Sequence, residues 1–259
     1  MKSFESLNNT RDLADIKGLE NRIKKGRLIR SGQLYFASEE DISRFENMNL
    51  RLIVDFRTSR EREEKPDPGI KNALNIHLPV FDESKQGITK EEETRSAFSD
   101  LVDTLRNSPK SSLDFMKKTY RDFITDEHAQ RKYREFLNLL LENEDGAALW
   151  HCTAGKDRAG FATILVLAVL GIEEEIIRED YISTNEYLKG EIESIFDRMK
   201  NIDPATEHIL RDFFLAREEY VNVIYEGARR ECGSLKAFIT DRLGFDEEKQ
   251  ERFREIYLI

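Results

Sequence analysis

The stretch Ala147–Gly171 constrains this chain more than any other. It reads AALWH, then CTAGKDRAG, then the ten-residue apolar run Phe161–Leu170, closed by Gly171. A short apolar segment, a polar loop carrying glycine and a second apolar run form the pattern of a buried strand turning sharply into a buried helix. Ten residues are too few to cross a bilayer, so the run reads as a core helix. A loop in that place points successive backbone N–H groups into a concave nest at the positive end of a helix dipole. Such a nest is an anion site. Gly155 permits the tight turn and the close approach of backbone that the nest requires.

The residue types in the loop suit phosphate chemistry. Arg158 follows Cys152 by six positions, so it can fold back over the loop and grip two phosphate oxygens with its fork of donors. The same arginine and the loop amides favour a thiolate at Cys152, below the ordinary thiol pKa of about 8.5. A thiolate beneath a bound phosphoryl group is placed for in-line attack, giving a cysteinyl-phosphate that water then hydrolyses. Thr153, Ala154, Gly155, Lys156, Asp157 and Arg158 are expected to bind the phosphate. The chemistry calls for no metal and no cofactor. A nucleotide-binding Walker loop is excluded because neither Ser nor Thr follows Lys156.

The leaving oxygen needs a proton, and two carboxyls are candidates. Asp157 lies inside the loop and is favoured because it is fixed near the phosphate. Asp82 follows a strand and a proline turn. Lys156 adds a second cation suited to a multiply phosphorylated headgroup. His151 is expected to hold the loop by hydrogen bonds, and Asp55 and Arg57 to support it from the end of a neighbouring strand. Taken singly, each feature has a plainer reading; a cysteine beside an apolar helix is usually a small buried hydrophobe. The assembly argues for chemistry. Cys232 has no comparable neighbours and reads as structural.

The rest of the chain frames this unit. Strands are expected at Arg27–Ser31, Leu50–Phe56 and Ala73–Leu78. Ser38, followed by three acidic residues, opens a helix. Apolar residues at helical spacing recur over 98–105, 115–124 and 133–141, and beyond Gly171 the pattern is helical, with breaks near Pro204, Gly233 and Gly244. The class is therefore α/β, a sheet flanked by helices with a helical C-terminal third. With 259 residues, five prolines and no linker, residues 1–259 are expected to form one domain. Within it, residues 83–131 are expected to form a helical lid insertion over the site.

The net charge of −10 argues against nucleic-acid binding through a basic surface. The acidity is concentrated: residues 173–259 carry 13 Lys and Arg against 22 Asp and Glu. Two cysteines cannot make a disulfide framework. The N-terminal MKSFESLNNT lacks an apolar export core, and no integral membrane segment is expected. A cytoplasmic location is expected, or a secreted one if an export signal has been removed.

The loop HCTAGKDRAG resembles the signature of the cysteine-dependent protein tyrosine phosphatases. It is most similar to a bacterial branch with a Cys-x-Ala-Gly-Lys-Asp-Arg loop, which includes the mycobacterial phosphatase B and Listeria lipid phosphatase types. Further blocks resemble that branch: Asn9–Asp12, Gly26–Ser31, Val54–Arg57 with Ser59–Glu61, His77–Asp82, Asp180–Asn185 and Gly233–Leu235. The resemblance implies a tyrosine-phosphatase-like fold with phosphate as product. The implied substrates are phosphorylated proteins, including phosphoserine and phosphothreonine, or phosphoinositides. It also implies Asp157 as the acid position of this branch. One departure is Ala159, where the family usually carries Ser or Thr; slow hydrolysis of the intermediate is expected. Two alternatives remain, a rhodanese-type sulfurtransferase and a catalytically weak phosphate-binding module.

Overall fold

The computed structural model describes residue 4 and residues 6–81, 111–198 and 203–259. Asp82 and residues 83–110 of the expected lid lie outside the described residues. Among the described residues five strands form one sheet: β1 (Arg11–Asp12), β2 (Leu28–Ser31), β3 (Leu50–Asp55), β4 (Leu74–His77) and β5 (Ala147–His151). Their order is β1-β2-β5-β3-β4, with β1 antiparallel to β2 and the other pairings parallel. The last strand in sequence thus lies at the centre of the sheet. The expected strands appear with small shifts at their ends. The two-residue β1 is too short to leave a periodic signal.

Alternate residues of each strand face opposite layers. Leu28, Leu52, Val54, Ala148 and Trp150 pack into the larger core. Ile29, Ile53, Ala147 and Leu149 pack into a smaller one with Phe45. Phe45 belongs to α1 (Glu39–Asn47), where Ser38 caps the helix by accepting from the Asp41 amide at 3.1 Å. Next come α2 (Ser59–Glu64), α3 (Ser112–Thr125) and α4 (Glu127–Glu142). Buried on every side, α5 (Arg158–Val169) starts directly from the loop after β5.

The remaining helices are α6 (Glu174–Tyr187), α7 (Lys189–Arg198), α8 (Pro204–Phe214), α9 (Glu218–Cys232), α10 (Leu235–Asp241) and α11 (Glu247–Tyr257). Pro204 sits in the first turn of α8, and Gly233 ends α9 at φ +85°. The described part of the expected lid, from Ser112 onward, forms α3 and the start of α4. Tyr120, Phe123 and Ile124 of α3 are fully buried in the larger core. Among the described residues, no helix is long and apolar enough to cross a membrane.

Parallel strands place their C-terminal ends on one edge. The segments after β2, β3, β4 and β5 therefore meet there, and in such sheets that edge is where ligands bind.

Candidate active site

The loop after β5 is tied down from several sides. Gln33, just beyond β2, donates its amide to the Thr153 carbonyl at 2.9 Å. Asn9 Nδ2 donates to the Ala154 carbonyl at 3.0 Å. Arg30 Nη2 donates to the Gly155 carbonyl at 2.6 Å. Gly155 has φ +70°, and a Cβ there would lie 2.5 Å from the Ser31 carbonyl oxygen, so only glycine fits. Fully buried, Arg30 is itself held by Asp180, whose carboxylate also takes Arg11, at 3.0 and 2.9 Å. Burial, with Arg11 adding its repulsion, pushes the Arg30 pKa down to about 10. Burial opposes ionisation of Asp180, but the two arginines outweigh it and hold its pKa below the ordinary carboxylate value.

Cys152 lies at the base of the loop and is 2% exposed. Arg158, in the first turn of α5, is equally buried. Its Nη1 and Nη2 donate to the two oxygens of Glu61 at 2.7 and 2.8 Å, a bidentate pair. Thr153 Oγ1 also donates to Glu61. Burial disfavours the Glu61 carboxylate, yet Arg158 and these hydrogen bonds hold its pKa far below normal. Glu61 also accepts from the Thr58 amide at 2.7 Å while Thr58 Oγ1 accepts from Glu61, so a capping box fixes the carboxylate that orients the arginine. The Arg158 guanidinium lies 5.1 Å from the Phe81 ring centroid.

Behind the loop is a buried charge cluster. Arg57 pairs with Asp55 through Nε and Nη2 at 2.9 and 2.8 Å, and its Nη2 reaches Asp67 at 2.8 Å. His151 Nε2 faces Asp67 Oδ2 at 3.1 Å, and its Nδ1 faces the Cys152 carbonyl at 3.3 Å. Both ring nitrogens meet acceptors, an arrangement that only the doubly protonated imidazolium satisfies. Burial alone would lower the His151 pKa, but Asp55 and Asp67 raise it overall. Asp55, Asp67 and His151 lie close enough together to hold a metal. Arg57 and the His151 imidazolium together balance the two carboxylates, and an imidazolium has no lone pair to offer. The cluster is therefore an ion-pair network that clamps the carbonyl of Cys152.

Asp157 precedes α5 but makes no side-chain cap to it. Its Oδ1 instead accepts from the hydroxyl of Tyr120 on α3 and lies 3.4 Å from Lys156 Nζ. Lys156 is 2% exposed and donates to the carbonyls of Phe213 and, at 3.3 Å, Leu215, at the end of α8. Its ammonium is therefore engaged by backbone. Cys232 ends α9, away from the loop in sequence, and forms no disulfide with Cys152.

The sequence profile of the tyrosine phosphatase family matches residues 2–259. The chain belongs to that family. A protein of Cupriavidus necator named as a tyrosine-protein phosphatase is 29% identical over 248 residues, spanning 94% of this chain and 84% of its own length. The triple specificity protein phosphatase PtpB of Mycobacterium tuberculosis is 26% identical over 271 residues, spanning 96% of each chain. A tyrosine-protein phosphatase of Nostoc commune is 26% identical over 63% of this chain and half its own length. The sulfurtransferase alternative finds no support in these likenesses.

For this tyrosine phosphatase, the structure brings Cys152, Thr153, Asp157 and Arg158 together with His151, Asp55 and Arg57 around one loop. Sequence reasoning gave no role to Arg30 and Asp180 behind the loop, nor to Glu61, Asp67 and Tyr120 beside it. Glu61 was signalled by the Thr58-x-x-Glu61 capping-box pattern. Asp67 stands between Pro66 and Pro68, a rigid setting that gives no hint of its partner. Tyr120 lay among apolar positions at helical spacing and read as core.

Proposed function

We propose that the loop hydrolyses phosphomonoesters by way of a phosphocysteine. The Cys152 thiolate attacks phosphorus in line. The S–P bond forms as the bond to the ester oxygen breaks, and Asp157 gives its proton to that oxygen. Water then attacks phosphorus, the Asp157 carboxylate accepts a proton from it, and Cys152 departs with its electron pair as thiolate. The loop amides and Arg158 stabilise the charge on the equatorial oxygens throughout. One observation carries this reading: Cys152 sits at the base of a loop whose arginine is held in a fixed orientation by Glu61. A preformed fork lowers the cost of ordering the donor when phosphate arrives.

Phosphotyrosine is the principal substrate in this reading, with phosphoserine, phosphothreonine and phosphoinositides as further ones. The name of the mycobacterial relative supports a broad range. The test is hydrolysis of a small aryl phosphate by the wild type and Cys152→Ser, with EDTA present. Activity in the wild type alone is expected. Equal rates in the two proteins would overturn the catalytic reading and favour a phosphate-binding module. A panel of phosphotyrosine peptide, phosphoserine peptide and phosphoinositide then ranks the substrates.

A further inference from the structure

Asp157 has an arrangement that the chemistry of the loop alone does not explain. Both of its close polar contacts fall on Oδ1, from the Tyr120 hydroxyl and from Lys156 Nζ. Among the described residues Oδ2 has no hydrogen-bond donor. The Tyr120 hydroxyl oxygen lies 2.5 Å from that of Tyr181, on α6. A hydroxyl carries one proton. With the proton of Tyr120 directed at Asp157, Tyr181 donates to Tyr120, and the three groups form a directed chain. Both phenols are essentially fully buried. Burial, aided by the neighbouring Asp157 charge, pushes both phenol pKa values well above the ordinary one, so each keeps its proton as a donor. The Tyr120 ring cannot swing aside. It stacks on Tyr220 at 4.9 Å and lies edge-on to Tyr181 at 6.2 Å and to Phe123 at 5.4 Å.

We propose that Tyr120 and Tyr181 are positioning residues that pin Oδ1 of Asp157, so that Oδ2 carries the proton delivered to the leaving oxygen. The inference rests on the reading of Asp157 as the general acid. A carboxyl held through one oxygen loses a rotational degree of freedom, and its proton sits on the other oxygen. As the proton leaves, negative charge grows on Asp157 and the hydrogen bond from Tyr120 strengthens. The relay therefore favours the transition state over the ground state. This gives α3, a helix some 30 residues before the loop in sequence, a chemical task besides packing.

The leaving group reads this out. An aryl phosphate whose phenol is far more acidic than tyrosine departs without a proton, whereas tyrosine, with a phenol pKa of about 10, needs one. The experiment measures kcat/KM over a series of aryl phosphates for the wild type and the variants Asp157→Asn, Tyr120→Phe, Tyr181→Phe and Tyr220→Phe. General acid catalysis is worth about 10²- to 10⁴-fold. Asp157→Asn should lose that much on phenyl phosphate and little on dinitrophenyl phosphate. Tyr120→Phe should lose roughly 10-fold or more on phenyl phosphate, again with little loss on dinitrophenyl phosphate. Tyr181→Phe should follow it to a smaller extent. Tyr220→Phe, which removes a buried hydroxyl bonded to the Asp212 carbonyl, should leave the dependence unchanged.

A steep dependence in Asp157→Asn with a wild-type dependence in both Tyr120→Phe and Tyr181→Phe overturns the inference and leaves the acid assignment standing. A flat dependence in Asp157→Asn overturns the assignment and, with it, the inference. Should Tyr120→Phe fail to fold, Tyr181→Phe decides alone, since it keeps the donor to Asp157 and removes only the hydroxyl behind it.

Discussion

Replacing Asp180 by Asn tests whether the buried arginines at the back of the loop depend on a single carboxylate. Asp180 is 4% exposed and holds Arg30 and Arg11 at 3.0 and 2.9 Å. Asn keeps the shape and one acceptor oxygen but removes the charge, so two buried guanidiniums lose their counter-ion. Breaking a buried pair by neutralising one member costs about 3–5 kcal/mol. The Asp180 main-chain carbonyl still accepts from Arg11 at 3.0 Å, which favours the lower end, about 3 kcal/mol. At roughly 2–4 °C per kcal/mol for a chain of this size, Tm should fall by about 6–12 °C. Thermal melts at pH 7 measure this. The pKa of Asp180 is depressed in the fold, so its contribution is present above the unfolded carboxylate pKa and is lost as pH falls through the folded value. Asp180→Asn should lack that part of the acid limb. The combined variant Arg11→Met/Arg30→Met/Asp180→Leu removes every charge at once and should recover most of the stability. It should not recover inhibition by inorganic phosphate, because the Gly155 carbonyl still lacks its Arg30 donor. A Tm within 2 °C of the wild type for Asp180→Asn would refute the energetic argument, using the roughly 2–4 °C per kcal/mol scale. Full phosphate inhibition in the combined variant would refute the anchoring role of Arg30.

Three further outcomes follow from the site. Lys156→Met strips a donor from the Phe213 and Leu215 carbonyls, so Tm should fall and all substrates should weaken together; a rise in KM confined to phosphoinositides would instead make Lys156 a headgroup ligand. The pKa of His151 is raised in the fold, so its stabilisation is complete below pH 6.5 and lost as pH rises through the folded value. Melts between pH 6 and 9 should fall more steeply for the wild type than for Asp67→Asn, and parallel curves would count against the imidazolium. Ala159 puts no hydroxyl at the start of α5, so rapid mixing with an aryl phosphate should give a burst that Ala159→Ser diminishes by speeding the second step; absence of both effects would show that hydrolysis of the intermediate is not limiting.

The strand, loop and helix around Cys152 were legible because that unit is local. A strand, a glycine that must take positive φ, an arginine six places after a cysteine and an apolar helix fit within about two dozen residues. Chain geometry over that length leaves few ways to arrange them. The strand at 50–55 was legible because burial on both faces writes an apolar run into the sequence, and the edge strand at 74–77 was legible by its alternation. The partners of the loop were not. Glu61 reaches Arg158, Asp67 reaches His151, Asp180 reaches Arg30 and Tyr120 reaches Asp157 across tens to more than a hundred residues.

A buried ion pair imposes no periodicity and no spacing on the chain. Either member alone looks like an ordinary surface charge, and Tyr120 looks like an ordinary core aromatic. Lys156 shows the difference most directly. As a sequence it is a cation beside an anion site, and any phosphate could claim it. The order of strands and the end of α8 decide that its ammonium meets two backbone carbonyls instead. Composition and local pattern thus singled out Cys152 and its loop, on which the proposed chemistry rests. The tertiary structure alone decided how Cys152 and Asp157 are held, because such contacts exist only once distant segments are packed against one edge of the sheet.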